Sequence, residues 1–277
     1  VRLLNTYRHV RYMWIPSTSE VVVVVSNIHS GDQPVLKQKA PNAEAPMQQL
    51  LCAKTGRPEE EVKGLSFAQL RDELLDMAPL NAAHVVQVNK AEAEFWKRAA
   101  GDRLEDSTQI LGFECGGSQW VLETAFPIKE PLADINFMEE VLGTIQKQWI
   151  PAPAPIEQRW TARSLSPMSP AYSANPKQIF SWVGIIMYLP PQQTDDGREQ
   201  ITQSFKDYCT ALYPIYHKYG AVPHWAKIEP KDSPGAQQRQ REALQARYPV
   251  AQFNSLRRRL DPHNILGNRL LDGLLAS

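Results

Sequence analysis

Three prolines alternate with alanine in Pro151-Ala152-Pro153-Ala154-Pro155, directly ahead of Ile156-Glu157-Gln158-Arg159-Trp160-Thr161-Ala162-Arg163-Ser164. Each proline fixes φ and drives the residue before it towards extended geometry, so this lead excludes helix and enters the next segment stiff. Residues 156–164 alternate with the period of a strand. Glu157, Arg159, Thr161 and Arg163 share one face, and Ile156, Gln158, Trp160 and Ala162 the other. A carboxylate and two guanidinium groups on one strand face have two readings. They form either a solvated face with a surface ion pair, worth about 0–1 kcal/mol, or part of a site.

A chain of 277 residues can bury a sizeable core, as one large domain or two smaller ones. Its 30 basic and 30 acidic residues leave no net field to steer it onto nucleic acid or an anionic membrane, so no nucleic-acid partner is expected. Arg239, Arg241, Arg247, Arg257, Arg258 and Arg259 nevertheless crowd the C-terminal quarter, as an anionic partner or a solvated helix face would require. Cys52, Cys115 and Cys209 lie far apart without ligand spacing, so neither a zinc site nor a disulfide framework is expected. The apolar run Val21 to Val25 has the length of a strand and falls far short of the roughly 20 residues that span a bilayer. Val1 lies within sequence that already reads as folded, with no initiator methionine or targeting segment, as expected of a fragment or a processed chain.

Residues 7–15 and 20–28 read as strands, and the pentavaline run, β-branched and apolar on both faces, predicts a central, buried one. Residues 29–64, rich in Pro, Lys, Gln and Glu, predict an irregular insertion and the least ordered part of the chain. Ser66 and Gln69 form a capping box ahead of a helix with Leu70, Leu74 and Leu75 on its apolar side. A second helix is expected over 81–100, stopped by Gly101, with His84 exposed or capping in its first turn. Residues 110–126 read as strand, Gly116-Gly117 turn, strand. Cys115 precedes glycines where backbone can approach a ligand closely, although a buried free cysteine is the ordinary case. Asn136 predicts the cap of a helix over 137–149. After two Ser-Pro steps at 166 and 169, residues 179–189 form a strongly apolar strand. A helix over 198–219 should kink or break at Pro214. Residues 224–229 read as a short strand with His224 and Ala226 opposed to Trp225 and Lys227, and basic helices over 235–247 and 250–260 close the chain. The class expected is α+β, with a mainly antiparallel sheet flanked by helices.

Several runs together carry a resemblance: residues 11–16, the pentavaline run, 110–117, 150–164, 180–190, His224-Trp225-Ala226-Lys227-Ile228-Glu229, and 260–268. The sequence resembles the galactonolactone dehydrogenases of plants and algae, flavoproteins of the vanillyl-alcohol-oxidase superfamily close to the aldonolactone and alditol oxidases. That resemblance implies oxidation of L-galactono-1,4-lactone to ascorbate through FAD, with cytochrome c as acceptor, at the mitochondrial inner membrane or intermembrane space. It implies entry strands over 1–28, a substrate cap over 65–222, and a C-terminal segment over 223–277 that packs towards an FAD domain. The 277 residues contain no glycine-rich loop for the FAD pyrophosphate, so an N-terminal FAD domain or separate chain is an implied partner.

Residue by residue, Glu157 and Arg159 match the family's Glu-Gln-Arg pair. Lys227 matches the lysine of a His-Trp-Gly-Lys motif, here with Ala226 in place of glycine. His224, Arg163 and Trp225 are implied close to substrate or flavin, and Cys115 is implied as a redox-sensitive thiol; no metal is implied. Glu157 would then take or orient the hydroxyl proton, Arg159 would meet the lactone oxygen, and Lys227 would add a second positive charge. The two cations are expected to hold the Glu157 carboxyl below its ordinary range. The alternative is a flavin-free or split family member serving mitochondrial complex I as an assembly or accessory protein.

Overall fold

The computed structural model describes residues 2–31, 42–112, 118–190, 192–228 and 234–275. Its strands are β1 (His9–Trp14), β2 (Val21–Ser26), β3 (Gln119–Pro127), β4 (Ile156–Ala162), β5 (Ile179–Tyr188) and β6 (Val222–Pro223). They lie side by side as β2-β1-β4-β5-β3-β6, and every pairing is antiparallel. The helices before β3 are α1 (Arg2–Thr6), α2 (Ala45–Thr55), α3 (Glu59–Val62), α4 (Phe67–Met77), α5 (Ala82–Ala99) and α6 (Ser107–Leu111). Those after it are α7 (Ala133–Gln148), α8 (Asp195–Tyr219), α9 (Pro234–Arg247), α10 (Val250–Leu260) and α11 (Arg269–Leu274). The α+β class expected from the sequence is the one that forms.

Alternation decides what each face of the sheet buries. Ile156 of β4, Val183 and Ile185 of β5 and Phe126 of β3 point to one side, where Phe137, Met138 and Val141 of α7 and Phe205, Tyr208 and Leu212 of α8 cover them. Full burial of such side chains contributes about 1.5–3 kcal/mol each. On the opposite side, Ile186 and Tyr188 at one end of β5 join the apolar cluster of α2, α4 and α5. At the other end, Phe180 and Trp182 pack with Ala125 and Ala171. The tail helices α9 to α11 close over a cluster of their own, which takes in Met168 and Trp225. Between these apolar patches the second face of the sheet carries charge.

Local signals that depend on a few adjacent residues come through unchanged. Ser66 Oγ accepts from the Gln69 amide at 3.3 Å and Gln69 Oε1 accepts from the Ser66 amide at 2.9 Å, closing the capping box at the start of α4. The Asn81 side chain caps α5 by accepting from the His84 amide at 3.0 Å. The His84 ring is buried, contrary to expectation, with Nε2 2.6 Å from the Leu74 carbonyl. A carbonyl can only accept, so Nε2 carries the proton. Deeper in α5, the buried Asn89 side chain donates to the carbonyls of Pro16 (3.1 Å) and Ala152 (2.9 Å) and accepts from the Ala154 amide (3.0 Å). One side chain thereby ties α5 to the turn after β1 and to the proline lead of β4.

Other expectations fail for identifiable reasons. The pentavaline run is β2, an edge strand that pairs with β1 alone among the described strands, and Val23 is 45% exposed. β-Branched residues favour the strand backbone whatever the number of neighbours, so composition cannot tell edge from centre. Within residues 29–64, α2 and α3 replace the expected irregular insertion. Met47 and Leu51, four apart, are buried against α4 and α5 and outweigh the polar composition around them; residues 32–41 lie outside the described residues. Residues 107–111 are helical where the first of the expected strands over 110–126 would begin, Gln119–Pro127 form the second, and residues 113–117, with the expected Gly116-Gly117 turn, lie outside the described residues. Leu132, at φ 65°, occupies the N-cap of α7 in place of Asn136. Helix α8 runs unbroken through Pro214. That proline and Thr210, whose carbonyl loses its amide partner, are both exposed and so open to water. Within the expected strand over 224–229, Trp225–Lys227 form a 3-10 turn following the two residues of β6, and Glu229 lies outside the described residues.

Candidate active site

The cross-strand register assembles the charged face. Glu157 lies between Met13 on β1 and Gly184 on β5, and Gly184 in turn lies opposite Glu123 on β3. Two residues along β4, Arg159 lies between Arg11 and Trp182. Directly paired residues share a face, so Arg11, Glu157, Arg159 and Glu123 gather on the side of the sheet away from α7 and α8. The ion pairs alternate across it. Arg11 Nη1 stands 3.7 Å from Glu157 Oε1, while Arg159 donates from Nε to Glu123 Oε1 at 2.8 Å, with Nη2 2.7 Å from the same oxygen. The Arg159 guanidinium also lies 5.3 Å from the centre of the Trp182 ring, a cation–π contact. The Trp182 indole is fixed in turn by donating to Thr161 Oγ1 at 2.9 Å.

The expected Glu157 and Arg159 therefore stand on one face as the alternation requires, but each takes its ion partner from another strand. Arg11 and Glu123 were missed. Both sit within segments read as strands, each a charge among apolar or aromatic neighbours, and that interruption was the available signal. Their partners were not legible, because pairing register is a long-range property.

Glu157 titrates against expectation. Burial raises its carboxyl above the ordinary range, the nearby Glu123 adds to the rise, and Arg11 and Arg159 offset it only in part. Desolvation wins because a charge removed from water loses more than these two contacts return. Since the folded carboxyl keeps its proton to higher pH than the unfolded one, ionisation favours unfolding. Stability should fall as pH rises from about 4.3 through the raised folded value, and level off above it. Glu157→Gln, an uncharged isostere, should remove that fall. The variant should show a higher urea midpoint than the parent at pH 7 and an equal one near pH 3.5. A variant weaker than the parent at pH 7 would show that the ion pairs outweigh desolvation.

The remaining sequence-derived residues divide. The His224 amide donates to the Glu123 carbonyl at 2.8 Å, its Nδ1 accepts from the Ala226 amide at 3.1 Å, and its ring centre is 5.8 Å from that of Trp182. His224 thus borders the cluster. Lys227, in the 3-10 turn beside β3, is half-buried and forms no ion pair with a described residue. Its turn follows β6, which the sheet order places three strands from β4. Arg163 is engaged elsewhere, donating to the carbonyls of Ser173 (3.0 Å) and Ala174 (3.4 Å) in the loop after β4. Trp225 donates to the Met168 carbonyl at 2.6 Å and packs on Tyr248, within the tail cluster. Cys115 lies outside the described residues. No group of three His, Cys, Asp or Glu among the described residues is placed to hold a metal.

The face as a whole offers a half-buried carboxylate able to take a proton and a guanidinium with one edge free. Between the carboxylates lies a glycine floor: a Cβ on Gly184 would come 3.9 Å from the Glu123 Cβ. Comparison with known proteins agrees with this reading of the fold. In Brassica oleracea, a relative named L-galactono-1,4-lactone dehydrogenase, mitochondrial, is 44% identical over 99% of this chain and 49% of its own. In Oryza sativa subsp. japonica, L-galactono-1,4-lactone dehydrogenase 1, mitochondrial, is 45% identical over 98% of this chain and 49% of its own. The chain thus spans about half the length of these relatives. Among solved structures, a solvent-stable cholesterol oxidase superposes with a TM-score of 0.52 at 16% identity, covering 99% of this chain and 55% of that one, a likeness of fold alone. The model of the D-arabinono-1,4-lactone oxidase family matches residues 2–274, a span holding every strand of the sheet and all four charges on its face, and the chain belongs to that family.

Proposed function

We propose that this chain supplies the substrate-covering half of an FAD-dependent enzyme that oxidises L-galactono-1,4-lactone to L-ascorbate, passing electrons to cytochrome c in mitochondria. The observation that carries this reading is that one strand face holds side by side Glu157, half-buried and with a raised carboxyl, and Arg159, whose Nη1 edge has no partner among the described residues. The names of the plant relatives supply the lactone and the mitochondrial setting.

Oxidation removes the C2 hydroxyl proton and the C2 hydride, and the resulting 2-keto lactone enolises to ascorbate. Glu157 takes the proton, and the burial that raises its affinity for one favours that role. Arg159 holds the ring carbonyl with a permanently charged, planar fork and stabilises negative charge that develops beside it. Gly184 leaves the sheet without a side chain between Glu157 and Glu123, and a cation beside that face suits the electron-rich edge of a flavin. Lys227 is the residue that would hold it, since the free edge of Arg159 serves the lactone, and hydride acceptance is the chemistry FAD supplies when bound. A scaffolding role in mitochondrial complex I would make no use of this constellation, so the enzymatic reading is preferred.

The test is an assay of the full-length, flavin-bearing protein with L-galactono-1,4-lactone and oxidised cytochrome c. The expected result is lactone-dependent reduction, with a pair of cytochrome c molecules reduced for each ascorbate formed. Flavin-loaded protein that forms no ascorbate would overturn the reading.

A further inference from the structure

We propose that Glu123 is a positioning residue for this reaction, holding the Arg159 guanidinium side-on so that its Nη1/Nη2 edge is presented to the lactone carbonyl. The inference rests on the reading of Arg159 as the group that meets the lactone.

A guanidinium has two edges that can grip an oxygen or a carboxylate, one formed by Nε with Nη2 and one by Nη1 with Nη2. Glu123 Oε1 occupies the first of them, accepting a hydrogen bond from Nε at 2.8 Å and standing 2.7 Å from Nη2 in the ion pair. The second edge is left on the outer side of a residue whose side chain is 44% exposed, whereas that of Glu123 is only 14% exposed. The carboxylate is therefore the fixed member and the guanidinium the presented one.

The route between them is built by β5. Arg159 lies opposite Trp182 and Glu123 opposite Gly184, so the arginine crosses β5 diagonally between an indole and a bare backbone. The indole supplies one wall at 5.3 Å, and the missing side chain at Gly184 leaves the passage open. Glu123 is anchored from behind as well, since its own carbonyl accepts from the His224 amide at 2.8 Å.

Glu123 also keeps Arg159 away from the base. The charged groups facing Glu157 are Arg11 from β1, Arg159 from its own strand and Glu123 from β3. Without Glu123, the nearest carboxylate to Arg159 is Glu157, two residues away on the same face and about 7 Å distant between Cα atoms. Arg159 would then collapse onto the proton acceptor, lowering its proton affinity and withdrawing the edge meant for the lactone.

The experiment uses the full-length, flavin-loaded protein and three readouts: kcat/KM for the lactone against pH, calorimetric binding of the lactone analogue lacking its C2 hydroxyl, and a double-mutant cycle with Arg159. Glu123→Ala is expected to lower kcat/KM by about 10- to 100-fold and to weaken analogue binding. It should also shift the acid limb of the pH profile downward. Glu123→Gln, which keeps an accepting oxygen and the side-chain shape, should recover part of the loss. In an Arg159→Ala background, Glu123→Ala should cost nothing further. Unchanged analogue binding with an unmoved acid limb, or additive losses in the cycle, would overturn the proposal. If Glu123→Ala does not fold, the same readouts on Glu123→Gln decide it, an unmoved limb and binding again counting against. An Arg159→Ala protein with parental activity would instead sink the underlying reading of the site, whatever Glu123 does.

Discussion

Replacing Arg159 by alanine in the full-length, flavin-bearing protein should lower kcat/KM for L-galactono-1,4-lactone by about 10²- to 10³-fold, the loss typical when a preorganised donor to developing negative charge is removed. Folding should hardly respond. Arg159 is 44% exposed and its pair with Glu123 is partly screened by solvent, so a change of about 1 kcal/mol or less is expected. Lysine at 159 should not restore activity, because a point charge cannot hold Glu123 and the lactone on two separate edges. Glu157→Gln should cost less than Arg159→Ala: the amide oxygen cannot take the proton, but it still accepts the hydrogen bond of the substrate hydroxyl and orients it. Steady-state kinetics on the variants, with urea denaturation as the control for folding, checks the ranking. Small and equal losses at the two positions would remove both from the chemistry.

Asn89→Ala should be the most damaging single change to stability on the site's supporting framework. The side chain is 1% exposed and serves three backbone groups, the carbonyls of Pro16 and Ala152 and the amide of Ala154. The lead into β4 is poor in alternatives, because Pro151, Pro153 and Pro155 contribute no amide hydrogens of their own. A buried polar group left without a partner costs about 1–3 kcal/mol. Some relaxation and entry of water will soften the sum, so a loss of about 3–5 kcal/mol is expected, a large share of the roughly 5–15 kcal/mol that a domain has. The urea midpoint measures it. A loss under about 1 kcal/mol would mean that the lead is held by its own proline geometry and that Asn89 merely fills space. The outcome bears on the site, because this lead sets where Glu157 and Arg159 enter the sheet.

What could be read from the chain alone depends on the range of the interactions involved. Placing Glu157 and Arg159 on one face needed only the period of a strand, and the Ser66–Gln69 capping box only the spacing of one helical turn. Each is decided by backbone geometry within a few residues, which the sequence by itself determines. The burial of Met47 and Leu51 in α2 was also a local pattern, but a thin one, and polar composition masked it. Tertiary structure decided the rest. Five valines in a row demanded a strand, yet only pairing with β1 and with nothing beyond it made that strand an edge. Arg159 finds Glu123 at a separation of 36 residues, and Glu157 finds Arg11 from the far end of the chain, through register that no local pattern encodes. The direction in which Glu157 titrates turned on the same distinction. The neighbouring charges were visible in the sequence and argued for a lowered carboxyl, whereas desolvation, which arises only once β1, β4, β5 and β3 are assembled, raised it.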